Sequence, residues 1–327
     1  MLPSLRSCVP VLAAVLALSA CSSSDSPHND AAATSGFPVT VSNCGVEVTL
    51  DAAPERIVTV KSTTYELLLA LGAGDRIVGR AFLDGPVPAD LADVEPDDAT
   101  TFEKVPGQEA VLDLEPDLVH AGWESNVTAE GAGDRETLAS LGVATYVSPS
   151  ACQSADVPGK LTFADVWAEI TQVGAVVGEP AAAAALVADL QERLAAVEPD
   201  HRGLSALWFS SGSDTPFVGA GRGAPQMILE AAGLSNIAAD VDAAWSPLSW
   251  EAVVDADPDV IVLVDSAWGS TEKKIGVLES NPATAQLDAV KHGRYLVVPF
   301  AAGEAGLRNV EAVETILAGL ADLEELR

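Results

Sequence analysis

The phrase EAVLDLEPDLVHAGW at 109–123 returns as EAVVDADPDVIVLVD at 251–265, and this internal repeat is the strongest constraint on what the chain can fold into. Each copy reads as a short helix, with apolar Ala110, Val111 and Leu114 in the first and Ala252, Val253 and Ala256 in the second. A Pro-Asp turn stops that helix, and a buried strand rich in aliphatic and β-branched residues follows, Leu118 to Ala121 or Val260 to Val264. Two related halves of this kind predict two similar α/β lobes.

The flanking sequence extends the pattern. Strands are expected at Ile57 to Val60, Ile77 to Gly79, Thr145 to Ser148, Ser205 to Phe209 and Tyr295 to Pro299. Helices are expected at Thr64 to Leu71, Arg135 to Leu141, Gln226 to Ala232 and Val310 to Leu326, the first two stopping at Gly72 and Gly142. Alternating strands and helices predict parallel sheets covered on both faces. Between the halves, Phe163 to Val197 is almost wholly helix-forming and is interrupted only at Gly178-Glu179-Pro180. Pro180 stands where a helix tolerates proline, and the alanine-rich run after it predicts a stiff strut between the lobes.

The N-terminus is of another kind. Residues 9–18 are apolar but too short to span a hydrocarbon core, which needs about 20 residues, so residues 1–20 read as an export signal. Leu18-Ser19-Ala20-Cys21 resembles a bacterial lipobox, which makes Cys21 the lipidated residue; the alternative is an ordinary cleaved signal with a chance cysteine. Residues 21–36 have linker composition. The expected organisation is then an N-terminal lobe at 37–178, a connecting helix at 179–200 and a C-terminal lobe at 201–327, with the body outside the membrane and anchored only through its lipid.

Composition closes several routes. A net charge of −31 argues against nucleic acid, whose phosphates need a cationic face. Of four cysteines, Cys8 lies in the signal and Cys21 at the anchor, leaving Cys44 and Cys152. In an exported chain such a remainder pairs, which predicts a Cys44–Cys152 disulfide, with two buried free thiols as the alternative. The four histidines, His28, His120, His201 and His292, form no ligand cluster, and no Gly-x-Ser-x-Gly elbow is present. No catalytic group, metal site or cofactor is therefore expected.

Taken in order, APERIVTVKSTTYELLLALGAGDRIVG, GQEAVLDLEPDLVHAGW, LASLGVATYVS, APQMILEAAGLSNIAAD and SWEAVVDADPDVIVLV resemble the helical-backbone class of ABC-transporter substrate-binding proteins. Members of that class deliver iron-siderophores, haem and corrinoids. The resemblance implies two Rossmann-like α/β lobes joined by a single long helix, a ligand cleft between them, and a monomer that serves a permease dimer. It also implies no enzymatic activity. FLDGPVPADL, GWESNVTAEGAG and ATYVSPSAC further resemble a subgroup proposed to carry a deazaflavin precursor of coenzyme F420.

In α/β sheets ligands gather at the carboxyl ends of strands, which nominates Ser62, Thr63, Ser210 and Phe300 as cleft residues. Trp123 and Trp245 match tryptophans that line the cleft of corrinoid-binding relatives, and Trp268 also falls at a strand end. Aromatic faces there suit a flat conjugated ligand. Trp167, Trp208 and Trp250 are assigned to packing. Arg222, in a glycine-rich loop, and Arg308, in a loop that the resemblance places at the cleft, could fork onto a carboxylate or phosphate; the alternative for each is a surface charge. Glu109 and Glu251 occupy the same place in the two repeats. In the family, glutamates there meet arginines of the permease, and two equivalent carboxylates suit a dimer with two equivalent basic pockets. Acidic residues early in a helix also favour its dipole. A surface-tethered enzyme and a scaffolding protein are the competing functions.

Overall fold

The structure, a computed structural model, describes residues 36–153 and 155–323. The signal, most of the linker and Cys21 lie outside them. The chain opens with a hairpin of β1 (Val39–Asn43) and β2 (Val46–Leu50), antiparallel with Val39 opposite Leu50. The first lobe then alternates β3 (Ile57–Val60), α1 (Ser62–Ala70), β4 (Ile77–Ala81), β5 (Thr100–Phe102), α2 (Gln108–Leu112), β6 (Leu118–Ala121), α3 (Arg135–Ser140) and β7 (Ala144–Val147). Its sheet runs β5-β4-β3-β6-β7 and every pair is parallel. All four residues of β3 and of β6 are buried, as a strand covered on both faces requires.

Two helices follow, α4 (Phe163–Val176) and α5 (Pro180–Ala195), paired as a hairpin. A Cβ on Gly174 would come within 2.3 Å of the Ala183 Cβ, so the close approach of the two helices needs glycine there. Thr162 caps α4 by accepting from the Asp165 N–H while the Asp165 carboxylate accepts from the Thr162 N–H, and Pro180 opens α5. The start of α5 is tied to the first lobe, where Arg76 pairs with Glu179 at 3.0 Å. Its end is tied to the second through Arg193 and Glu314 at 2.7 Å. The start of α4 also reaches the second lobe, because the Leu161 N–H donates to the Arg222 carbonyl. The lobes are therefore bridged by a helical hairpin.

The second lobe comprises β8 (Ser205–Ser211), β9 (Phe217–Gly219), α6 (Ala224–Ala231), β10 (Ser235–Asn236), β11 (Trp245–Pro247), α7 (Trp250–Ala256), β12 (Val260–Asp265), α8 (Thr271–Ser280), α9 (Asp288–Lys291), β13 (Tyr295–Pro299), α10 (Phe300–Gly303) and α11 (Asn309–Asp322). Its sheet runs β11-β9-β8-β12-β13, with β10 beside the start of β8. The expected parallel arrangement forms the body of this sheet. β8, β12 and β13 are parallel, but β9 and β11 add an antiparallel edge.

The repeat has a structural counterpart in detail. α2 and α7 end alike, with Glu115 (φ 47°) and Asp257 (φ 43°) in the left-handed region just before the Pro-Asp pair. The aspartates then do the same work in both lobes. Asp117 accepts from the N–H groups of Glu55 and Arg56 ahead of β3, and Asp259 accepts from the N–H and hydroxyl of Ser205 at the start of β8. Each carboxylate thus fixes where the neighbouring parallel strand begins. Trp208 is fully buried and Trp250 nearly so, while Trp167 packs on Phe163, in keeping with their assignment to packing.

Candidate functional site

A cavity of about 710 Å³ opens between the lobes, where the chain leaves β6, β7, β8, β12 and β13. Trp123, Trp245, Trp268, Phe300, Ser210 and Arg222 all line it, six of the residues nominated by the sequence. Phe300 is their hub. Trp245 stacks on it at 6.1 Å between centroids and an interplanar angle of 13°, and Phe217 stacks on the other neighbour of the ladder, Trp245, at 6.4 Å and 11°. Trp123 and Trp268 meet Phe300 edge-on at 6.3 and 5.1 Å. Offset stacks and T-shaped pairs are the arrangements that the ring quadrupole favours. Phe217, 39% exposed, and Trp268, 43% exposed, keep surface free.

Three nominated residues do not line the cavity. The Ser62 hydroxyl accepts from the Asp84 N–H at 2.8 Å and is buried. Thr63 packs its methyl end near Gly306 of the other lobe. Arg308 is 7% exposed because its guanidinium is already engaged, with Glu311 at 2.9 and 3.1 Å and with Glu66 of the first lobe at 3.5 Å. The expected fork for an anionic ligand is therefore turned inward as a cross-lobe ion pair. Arg222 does reach the cavity wall, where Asp242 lies 3.1 Å from its Nε.

Beneath the aromatic wall lies a charged floor. Lys61, fully buried, pairs with Asp84 and sits 4.0 Å from the ring centroid of Trp123, 4.4 Å from that of Phe82 and 4.7 Å from that of Phe300. An ammonium over ring faces gains from their quadrupoles most when water is excluded. Gly122 makes room for it, since a Cβ there would lie 2.8 Å from the Lys61 Cβ. The Asp84 carbonyl also accepts from the Ala267 N–H of the second lobe at 2.7 Å.

Two carboxyl groups at this boundary are held away from their usual ionisation. Burial pushes Glu304 up against the opposing pull of the Trp123 indole N–H and Lys61. Burial pushes Glu66 up to about 8, although Arg308 stands beside it. The reason is geometric: Arg308 spends its two short contacts on Glu311, and Glu66 Oε2 has no partner. Of the charged residues, Lys61, Asp84, Glu66 and Glu304 carry no sequence assignment to the site. Glu304 stands four residues before Arg308, a helical spacing that could have drawn attention to it.

Cys44 and Cys152 are joined by a disulfide, and Cys152 belongs to the cavity wall. Glu109 and Glu251 are exposed and fall in the first turns of α2 and α7. Among the described residues no group of His, Cys, Asp and Glu is arranged to hold a metal ion, and no helix is long and apolar enough to cross a membrane. His120, buried in β6 and pushed down to about 3 by burial, packs on Tyr146 and does not line the cavity.

The sequence and the fold have counterparts among known proteins. The chain is similar to an uncharacterized ABC transporter substrate-binding lipoprotein, YvrC, of Bacillus subtilis, with 28% identity over 86% of this chain and 84% of that one. It is 32% identical to a cobalamin-binding protein of Halobacterium salinarum over 73% of this chain and 62% of that one. A solved structure, described as an ABC-type Fe3+-hydroxamate transport system from Saccharomonospora viridis, aligns with 30% identity, a TM-score of 0.75, and coverage of 87% of this chain and 99% of that one. The sequence model of the periplasmic binding protein family matches residues 57–302, a span that reaches from β3 of the first lobe into α10 of the second, and the chain therefore belongs to that family, a transport component rather than an enzyme.

Proposed function

We propose that this protein is the lipid-anchored receptor of an ABC importer, tethered through Cys21, and that it captures a metal chelate or a flat conjugated ligand in the cleft and hands it to a permease dimer. The observation that carries the reading is the ladder Phe217–Trp245–Phe300 on the cavity wall, met edge-on at Phe300 by Trp123. A wall of parallel rings offers large apolar contact to a planar cargo and little to a flexible hydrophilic one. Arg222 supplies the one cationic side chain of the wall, suited to a carboxylate or phosphate at the cargo's edge.

Within the candidate cargoes, we favour one whose metal is already fully coordinated or that has no metal, such as a corrinoid, a ferric siderophore or a deazaflavin. Protein-bound haem iron takes His, Cys, Met or Tyr as axial ligand. Among the described residues of the wall the one such side chain is Cys152, whose sulfur is committed to the disulfide. The open cavity weighs against a scaffolding protein, whose cleft would be filled by its own side chains.

Glu109 and Glu251 are our assignment for permease docking, because the repeat gives two exposed carboxylates on equivalent helices. The helical hairpin α4–α5 suggests modest lobe closure rather than a wide hinge. Two experiments test the reading. Native mass spectrometry and absorbance spectra of the body purified from its own producing cells should reveal a retained chromophore; an empty protein that also fails to quench its tryptophan emission with cyanocobalamin, haemin, ferrioxamine and a deazaflavin would sink the receptor assignment. Glu109→Lys or Glu251→Lys should each abolish uptake in cells while leaving ligand affinity intact.

A further inference from the structure

The cavity wall contains one carboxylate, Glu304, in the turn between α10 and α11. Its surroundings look built to hold it still. The Asn309 side chain, 1% exposed, donates to the carbonyls of Ala302 and Glu304 at 3.0 and 2.6 Å and accepts from the Gly306 N–H at 2.9 Å, so one amide clamps the turn at three points. From this fixed base the Glu304 Oε2 accepts from the indole Nε1–H of Trp123 at 2.7 Å. Trp123 belongs to the first lobe and Glu304 to the second.

Trp123 has little other freedom. The Lys61 ammonium lies over its ring, Phe82 and Phe300 meet it edge-on, and its backbone N–H donates to the Asn126 side-chain oxygen. The bond to Glu304 is the contact that fixes the in-plane direction of the indole, because ring packing alone leaves the N–H edge unspecified. We propose that Glu304 is a positioning residue of the cleft, tying the Trp123 indole across the lobe boundary so that the aromatic wall stands assembled before cargo arrives. A wall ordered in advance removes part of the ordering cost that binding would otherwise carry. It also means that separating the lobes must disconnect Trp123 from its anchor, which links opening of the cleft to loss of the cargo's stacking partner.

The test uses the full chain and two kinds of readout. The first needs no ligand: hydrogen exchange of the Trp123 indole N–H, followed by NMR. Glu304→Leu should speed that exchange roughly ten- to hundredfold, the range expected when a buried donor is left without its partner. Glu304→Gln keeps an acceptor oxygen and should restore protection, with the melting temperature unchanged in both variants. The second readout rests on the receptor reading and uses cyanocobalamin as probe. Trp123→Phe keeps a ring but removes the donor, so Glu304→Leu and Trp123→Phe should each weaken binding about tenfold, and the double variant no further. Unchanged indole exchange in Glu304→Leu overturns the proposal, as do additive losses in the cycle. Should the native protein ignore cyanocobalamin, the corrinoid reading loses support while the exchange measurement still decides the role of Glu304. Should Glu304→Leu fail to fold, Glu304→Ala decides it by the same measurement, indole exchange as slow as in the native protein again overturning the proposal.

Discussion

The two lobes share a repeat yet furnish the cleft differently. The first lobe keeps a purely parallel sheet and brings to the boundary mainly charge, in Lys61, Asp84 and Glu66, with Trp123 as its ring on the cavity wall. The second lobe adds the antiparallel edge β9–β11, and that addition carries Phe217 and Trp245 into line with Phe300. A duplicated scaffold thus acquires specificity by decorating one copy. The plain copy supplies the floor, and the extended copy supplies the wall.

The sharpest way to break this division is at the floor. Asp84→Leu strands the Lys61 ammonium in a site where both side chains are only 1% exposed, and should cost about 3–5 kcal/mol of stability, read as a lower urea midpoint. Lys61→Met strands Asp84 with a similar cost. The pair Lys61→Met/Asp84→Leu should recover most of the loss, because two apolar groups leave no charge unpaired. Equal losses in single and double variants would mean that the rings, rather than the ion pair, hold the floor.

A smaller effect is expected at the cross-lobe pair of Glu66 and Arg308. Since the folded protein holds a proton on Glu66 up to about pH 8 and the unfolded chain releases it near the ordinary carboxyl value of 4.5, stability falls as pH rises between these limits. Glu169, raised to about 7 by burial, acts in the same sense, whereas neutral His120 makes stability rise with pH below about 6.5. The interval from pH 7 to 8 therefore excludes His120, while Glu169 still adds to the slope there and is separated by comparing Glu66→Gln with Glu169→Gln. There Glu66→Gln should flatten a slope of at most about 1.4 kcal/mol per pH unit. A slope unaltered by the substitution would relocate the effect.

The smallest test compares the repeated helices directly. Ser249 caps α7 by accepting from the Ala252 N–H, whereas Gly107, in the same place before α2, offers no side chain. Ser249→Ala should cost about 1 kcal/mol, and Gly107→Ser should gain a few tenths, its Cβ entering open space. Thermal unfolding of both variants would show whether the two copies weigh equally in stability.

Much of this molecule is legible from its sequence where apolar residues are dense. The limits of β3 coincide with those read from the run IVTV, because all four residues are buried, and β12 runs past its expected end only by the exposed Asp265; β13 also keeps its expected limits, although at the sheet edge its residues alternate between buried and exposed. The edge strands β9 and β11 escape such reading, being three residues each, with Pro247 closing the second. The hairpin β1–β2 also escapes, although VTVSN and VEVTL alternate and flank the turn at Cys44-Gly45. At the site, the tryptophans announce themselves by outnumbering the tyrosines, six to three, and by position at strand or loop ends. The floor does not, because its partners are remote in sequence: Glu66 and Arg308 are 242 residues apart, and nothing local marks either as paired.

Each sheet takes its strands from one uninterrupted stretch, 57–147 for the first and 205–299 for the second. During synthesis the first lobe can complete its sheet while the second is still being made. Lys61, Glu66 and Trp123 must then wait at a half-finished surface, hydrated, until Phe300, Glu304 and Arg308 arrive from the far end of the chain. Covering those groups is the closing act of folding, and it is also the act that completes the cleft, so a chain stalled before it would hold two sound lobes and no finished cleft.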